Sequence, residues 1–232
     1  MHSAHRAALQ PVIDDLQRIF GERLTAIVAY GWRQHAPVPS LALVGSLSIE
    51  DLGACAARTA GWRRAGAATP LLLTPGDFAR SLDAFPIEYG EILANHDVMF
   101  GKDPFDGLSI RREDLRRACE VQVKSHLLHL REDYLEGGGH HAVIDDLVRE
   151  SAPGFAALLR HLARLEDAPM ATTSDLVSYA TERAGLAGHV VGDILSLADP
   201  QGVPSVDGVR LFPSYLAAME RLARFVDELP NT

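Results

Sequence analysis

Three side chains on one predicted helix have the types and spacing of a transition-metal site. His126, His129 and Asp133 fall at i, i+3 and i+7, which puts two imidazoles and a carboxylate on one helix face. The same spacing also describes a polar face turned to solvent or a cleft, because the first and third residues are two turns apart. Glu88 alternates with Phe85, Ile87 and Tyr89 in what reads as a fourth strand. A carboxylate at such a rim is either a metal ligand or the partner of an arginine, here Arg63 or Arg64. Gly45-Ser46 followed by Glu50-Asp51 has the composition of a phosphate turn with two acids. Adjacent residues face opposite sides of a strand, however, and Ser48-Ile49-Glu50-Asp51 is accounted for by a helix capping box. Among the basic residues Arg63, Arg64, Lys102, Arg111, Arg112, Arg116 and Arg117, the candidates for holding a small anion are Arg63, Arg64, Lys102 and Arg116. The plain alternative is solubility charge at helix ends. Cys55 and Cys119 lie far apart and outside any C-x-x-C, which fits two inert thiols in a reducing compartment.

The elements that must position these groups are legible from periodicity. Leu9, Val12, Ile13, Leu16, Ile19 and Phe20 follow helical spacing up to Gly21, and Leu24 to Tyr30 and Leu41 to Val44 are short apolar runs of buried-strand type. The capping box at Ser48 opens a helix running toward Trp62, Pro70 to Thr74 reads as a third strand, and Thr74-Pro75-Gly76-Asp77 starts a short helix. After Gly107 strand signals vanish. Arg111 to Glu136 reads as one long helix stopped by Gly137-Gly138-Gly139, and helical spacing returns in His141 to Arg149, Phe155 to Leu165, Ser174 to Ala184 and Leu211 to Leu229. The expected fold class is therefore α/β (α+β), a mixed-sheet domain over residues 1–108 followed by an all-α antiparallel helical bundle over 109–232.

Several stretches in this order resemble the nucleotidyltransferase superfamily, in its small bacterial type with a helical bundle after the catalytic domain. They are Ala26-Ile27-Val28-Ala29-Tyr30-Gly31, Ser40-Leu41-Ala42-Leu43-Val44, Trp62, Thr69 to Pro75, Phe85 to Tyr89, Met99 to Pro104, the helix with Glu120 and Lys124, and Tyr215-Leu216 with Phe225-Val226-Asp227. The resemblance implies a Gly-Ser turn after the first strand to hold a triphosphate, and two aspartates at i and i+2 on the second strand to hold Mg²⁺ for in-line phosphoryl transfer. At those positions this chain has Gly31, then Trp32 for the serine, and Ser40 and Ala42 for the aspartates. The expectation is a degenerate, non-catalytic member with no cofactor, in which Trp32 either plugs the old pocket or stacks on a base. It would bind a nucleotide or other small anion or a protein partner, a homodimer included. The rival is an active enzyme with Mg²⁺ on relocated acids such as Glu88, Asp51 or Asp83. On the first reading, aspartates returned to positions 40 and 42 would restore affinity for Mg²⁺.

Composition sets outer bounds. The 232 residues carry 22 Lys and Arg against 31 Asp and Glu, and the excess of acid holds on both sides of residue 108, 9 against 12 before it and 13 against 19 after. Extended nucleic-acid contact is disfavoured, since phosphate binding requires a basic face. No apolar segment follows Met1 to Arg6, and the longest apolar runs fall far below the ~18 residues of a membrane helix, so no membrane partner and a cytoplasmic location are expected.

Overall fold

The computed structural model describes residues 2–31, 37–199 and 206–230. It divides into two compact units, Met1–Arg111 and Arg112–Thr232. The first unit is α+β. Helix α1 (His2–Phe20) leads through a 3₁₀ turn (Gly21–Arg23) into β1 (Leu24–Tyr30), followed by β2 (Ser40–Val44), α2 (Ile49–Ala56), α3 (Thr59–Arg64), β3 (Leu71–Leu73), α4 (Pro75–Arg80), α5 (Pro86–Ala94) and β4 (His96–Gly101). The four strands form one mixed sheet in the order β3-β2-β1-β4. β1 runs antiparallel to both β2 and β4, and β2 runs parallel to β3.

Both faces of the central strands are covered. On one, Ile27, Ala29, Ala42 and Val44 pack with Leu9, Val12, Ile13 and Leu16 of α1 and with Cys55 and Trp62. On the other, Val28, Leu41 and Leu43 pack with Phe78 of α4, Tyr89 and Ile92 of α5, and Phe105. This double burial is why β1 and β2 read as unbroken apolar runs instead of alternating ones. Each fully buried aliphatic side chain contributes roughly 1.5–3 kcal/mol. The expected capping box is present: the Ser48 hydroxyl accepts from the Asp51 amide and the Asp51 carboxylate accepts from the Ser48 amide. Thr74 likewise caps α4, with Pro75 in its first turn.

Three sequence expectations for this unit are corrected. Phe85 to Tyr89 is not a strand: Pro86 opens α5, with Glu88 in its first turn and Ile87, Tyr89 and Ile92 buried. Proline's fixed φ suits the first helical position and the carboxylate suits the positive helix end, which outweighs a three-residue alternation. The fourth strand is His96–Gly101, whose apolar centre is hidden between His96-Asp97 and Gly101. The helix opening at Ser48 is two helices, broken between Ala56 and Thr59.

The second unit is all helical: α6 (Arg112–Glu136), α7 (His141–Leu165), α8 (Thr173–Glu182), α9 (Gly188–Leu197) and α10 (Gly208–Glu228). Side-chain pairings give the directions. Gln122 meets His161 and the Arg112 guanidinium donates to the Leu165 carbonyl, so α6 and α7 run antiparallel. Arg116 reaches the Leu229 and Val226 carbonyls and Arg131 reaches Glu220, so α6 and α10 are antiparallel as well. The two segments expected at His141 and Phe155 are one helix that runs through Pro153. Helix α9 was not expected, because Gly188 and Gly192 dilute the pattern of its buried residues Val190, Val191, Ile194 and Leu195. Among the described residues no helix is long and apolar enough to cross a membrane.

Gly101 ends β4 at φ +79°, and a Cβ there would lie 2.2 Å from the Thr25 carbonyl oxygen. Gly101→Ala is expected to destabilise the first unit by about 2–4 kcal/mol through strain and overlap, read as a lower urea midpoint of unfolding.

Candidate functional site

The positions that correspond to a phosphate turn and metal ligands lie at the end of β1 and on β2. Gly31 follows β1 with φ +60°, a left-handed conformation that glycine adopts without strain. Trp32 lies outside the described residues, so neither expectation for it is carried further. Ser40 and Ala42 are 1% and 0% exposed. Their face of the strand is the one beneath α1, where Ala42 belongs to the core with Val12, Leu16 and Trp62. The Ser40 hydroxyl has no hydrogen-bond partner among the described residues. This face is therefore packed with carbon and presents no anion to a divalent ion.

The relocated acids are engaged elsewhere or isolated. Asp51 accepts from both terminal nitrogens of Arg23, at 2.7 and 2.8 Å, in a bidentate pair that joins the start of β1 to α2. The Arg23 hydrogen bonds, followed by the Ser48 amide, hold the Asp51 carboxyl well below the usual carboxylate range. Glu88 is an exposed residue on helix α5, not a strand-rim acid, and the described residues give it no ion pair with Arg63 or Arg64. Asp83 is exposed in the turn between α4 and α5. Trp62, which carried part of the resemblance, is a core residue whose indole N–H donates to Asp15 at 2.9 Å.

The four candidate cations differ. Arg63 and Lys102 are exposed, and Arg64 donates to the Ala60 carbonyl. Arg116 is excluded as a free anion ligand: it bonds Glu120 and the carbonyls at the end of α10. The thiols are buried, and burial pushes Cys119 up to about 12, which leaves it protonated and unreactive.

In the second unit the structure gives the helix-face residues a different setting. His126, His129 and Asp133 share a cleft of about 180 Å³ with Leu130, and with Glu150, Ser151 and Gly154 of α7. They do not converge on one point: among the described residues no three His, Cys, Asp or Glu side chains are placed to hold a metal ion. What the arrangement contains is an oriented imidazole. His126 Nε2 lies 2.7 Å from the hydroxyl of Tyr215 on α10, and that hydroxyl donates to the Ser151 carbonyl at 3.4 Å. Tyr215 is fully buried. Burial, with the neighbouring His129 second, lowers the His126 pKa, so the ring is neutral at physiological pH. Pro153 and Gly154 stand in the middle of α7, where each costs a helix about 3 and about 1 kcal/mol relative to alanine. Sequence reasoning picked out Tyr215 only within the resemblance and had no route to its pairing with His126, 89 residues away, or to Glu150 and Gly154, because no local pattern joins them.

Comparison of the chain with protein-family models, with curated proteins and with solved structures gives no match.

The double variant Ser40→Asp/Ala42→Asp is expected to bury two like charges beneath α1, costing several kcal/mol per carboxylate. It should lower the melting temperature sharply and leave Mg²⁺ affinity, measured by calorimetry, unchanged. The sequence reading expects restored Mg²⁺ affinity instead, and this measurement decides between the two. The depressed Asp51 pKa gives stability that is complete above its unfolded value of about 3.9 and is lost as pH falls through the folded value. Asp51→Asn is expected to lower the melting temperature at pH 7 and to flatten its decline below about pH 4.

Proposed function

We propose that the chain is a nucleotidyltransferase-like protein that does not catalyse metal-dependent transfer and acts by binding. The observation that carries this reading is the chemistry of β2. The resemblance asks for two carboxylates at positions 40 and 42, and the strand offers a hydroxyl and a methyl group sealed under α1. Magnesium is a hard cation held by oxygen ligands, usually carboxylates and phosphates, and those two side chains supply no charge against it. The acids that could replace them are occupied by Arg23, in the case of Asp51, or stand exposed on α5 and the preceding turn, in the cases of Glu88 and Asp83.

The ligand class favoured is a nucleotide-like anion at the exposed cations Arg63 and Lys102 of the first unit. A protein partner, a second copy included, is the other reading. It is favoured by a strip on α6: Val121, Leu128 and Leu135 are 63, 62 and 76% exposed at seven-residue steps, the spacing of a helix seam.

The test is isothermal titration of ATP with and without MgCl₂. Binding that is independent of Mg²⁺ and weakened by Arg63→Ala and Lys102→Ala is the expected result. Micromolar ATP binding that requires Mg²⁺ would overturn the non-catalytic reading. Absence of ATP binding, together with a monomer–dimer equilibrium abolished by Leu128→Glu in sedimentation, would move the assignment to the protein-partner reading.

A further inference from the structure

Helix α2 presents its apolar residues outward. Its inward face buries only Asp51 and Cys55, a carboxylate paired with Arg23 and a thiol. Ile49 and Leu52, by contrast, are 74 and 42% exposed, and Gly53 and Ala56 are exposed as well. These four stand at i, i+3, i+4 and i+7, the spacing of a helix stripe that ordinarily faces a core. A Cβ added to Gly53 would meet nothing within 4 Å. No internal contact requires a glycine there, although glycine is a poor helix former, and its bare surface admits the close approach of another backbone.

The stripe is graded along its length in two respects. Bulk lies at its start, in Ile49 and Leu52, and small residues follow, Gly53, Ala56 and Ala57. Charge follows the same axis: Glu50 is in the first turn and Arg58 just past the end, both exposed, and no ion pair engages either among the described residues. Laid on itself in the antiparallel direction with the crossing at Gly53, this face sets bulky end over small end and brings Glu50 of each copy toward Arg58 of the other. A parallel pairing would stack Ile49 on Ile49 and Glu50 on Glu50, and would leave the alanines opposite one another across a gap. A two-fold axis makes the antiparallel contact twice, as an isologous interface requires.

We propose that this face of α2 is a self-docking surface on which a second copy of the chain binds antiparallel. The proposal rests on the protein-partner reading above, names the chain itself as the partner, and uses a face separate from the α6 strip. Two helical turns fall short of the roughly 800 Å² per partner of a stable interface, so the dimer is a weak one that forms reversibly at high protein concentration.

The experiment follows the full chain by sedimentation velocity from micromolar to submillimolar protein, and a reversible monomer–dimer equilibrium is expected. Ile49→Glu places an acid in the first turn of α2, which suits the helix. It should leave the melting temperature of the dilute chain unchanged and weaken association at least about tenfold. Gly53→Gln separates docking from stability: it should raise the melting temperature, because glutamine is the better helix former and the space is open, and yet weaken association. Orientation is read by disulfide capture, in which Ile49→Cys and Ala57→Cys chains, once mixed, should cross-link to each other far more than each to itself. The native thiols are buried and stay out of this reaction. The proposal is overturned if the chain remains monomeric throughout, if Ile49→Glu leaves the dimer intact, or if Ile49→Cys captures mainly itself. A dimer abolished by Leu128→Glu and untouched by Ile49→Glu would also overturn it, while leaving the protein-partner reading in place on α6.

Discussion

The first unit depends on the burial of β1 and β2 on both faces. These strands occupy the middle of the sheet, between β3 and β4, and each has α1 with α2 and α3 on one side and α4 with α5 on the other. A strand in that position accepts apolar side chains at every residue, and a carboxylate on it would need either a cleft or a cation beside it. β2 has neither, being sealed by Leu9, Val12, Leu16 and Trp62 above Ala42. The charges of this unit are pushed to the ends of the strands, where Arg23 and Asp51 pair across 28 residues at the border between sheet and helix. The orphan hydroxyl of Ser40 is the one buried polar side-chain atom among the described residues left without a partner, and it sits where the strand enters the core.

The helical unit is organised by a different device. Its core is made of apolar layers from α6, α7, α9 and α10, such as Leu130, Val148, Phe155, Leu159, Ile194 and Leu222, and into these layers one polar chain is threaded. It runs from His126 through Tyr215 to the Ser151 carbonyl and links all three long helices. Phe155 packs edge-on against the Tyr215 ring at 5.5 Å, so the hydroxyl is held by hydrogen bonds at its tip and by an aromatic contact at its body. A buried polar network of this kind fixes one arrangement of helices, because any slip leaves a desolvated hydroxyl without a partner.

Much of the architecture was legible in the chain, for reasons that are local. Gly21, the Ser48 capping box and the glycines after Glu136 mark boundaries with backbone chemistry, and the structure places helix ends at them. The failures are equally local. At Phe85 to Tyr89 a two-residue period competed with Pro86, and the proline decided. Between Arg149 and Phe155, where helical spacing lapses, α7 continues through Pro153 because its buried residues on both sides pack in one core. In the site, the replacement of two acids by Ser40 and Ala42 was readable, because residue identity alone removes the charge. The burial of these positions under α1 was not, because it depends on which face of β2 the helix covers. The helix-face trio of His126, His129 and Asp133 was readable as a spacing, whereas its setting depends on α7 and α10.

The ion pairs along α6 explain how that setting is kept in register. Lys124 bridges Glu120 and Asp227, and Arg131 reaches Glu220. These groups are largely exposed, and such pairs add at most about 1 kcal/mol each, far less than the apolar layers beneath them. Their effect is better described as directional. Arg112 at the Leu165 carbonyl fixes one end of the α6–α7 pair and Gln122 at His161 fixes a point ten residues on, with His126 one further turn along. A shift of α7 by a single turn would carry Gly154 away from the imidazole and bring another residue of that helix, with its Cβ, against the ring. The polar contacts outside the core thus set which residue of α7 faces His126, and the core alone, built of interchangeable aliphatic side chains, would not.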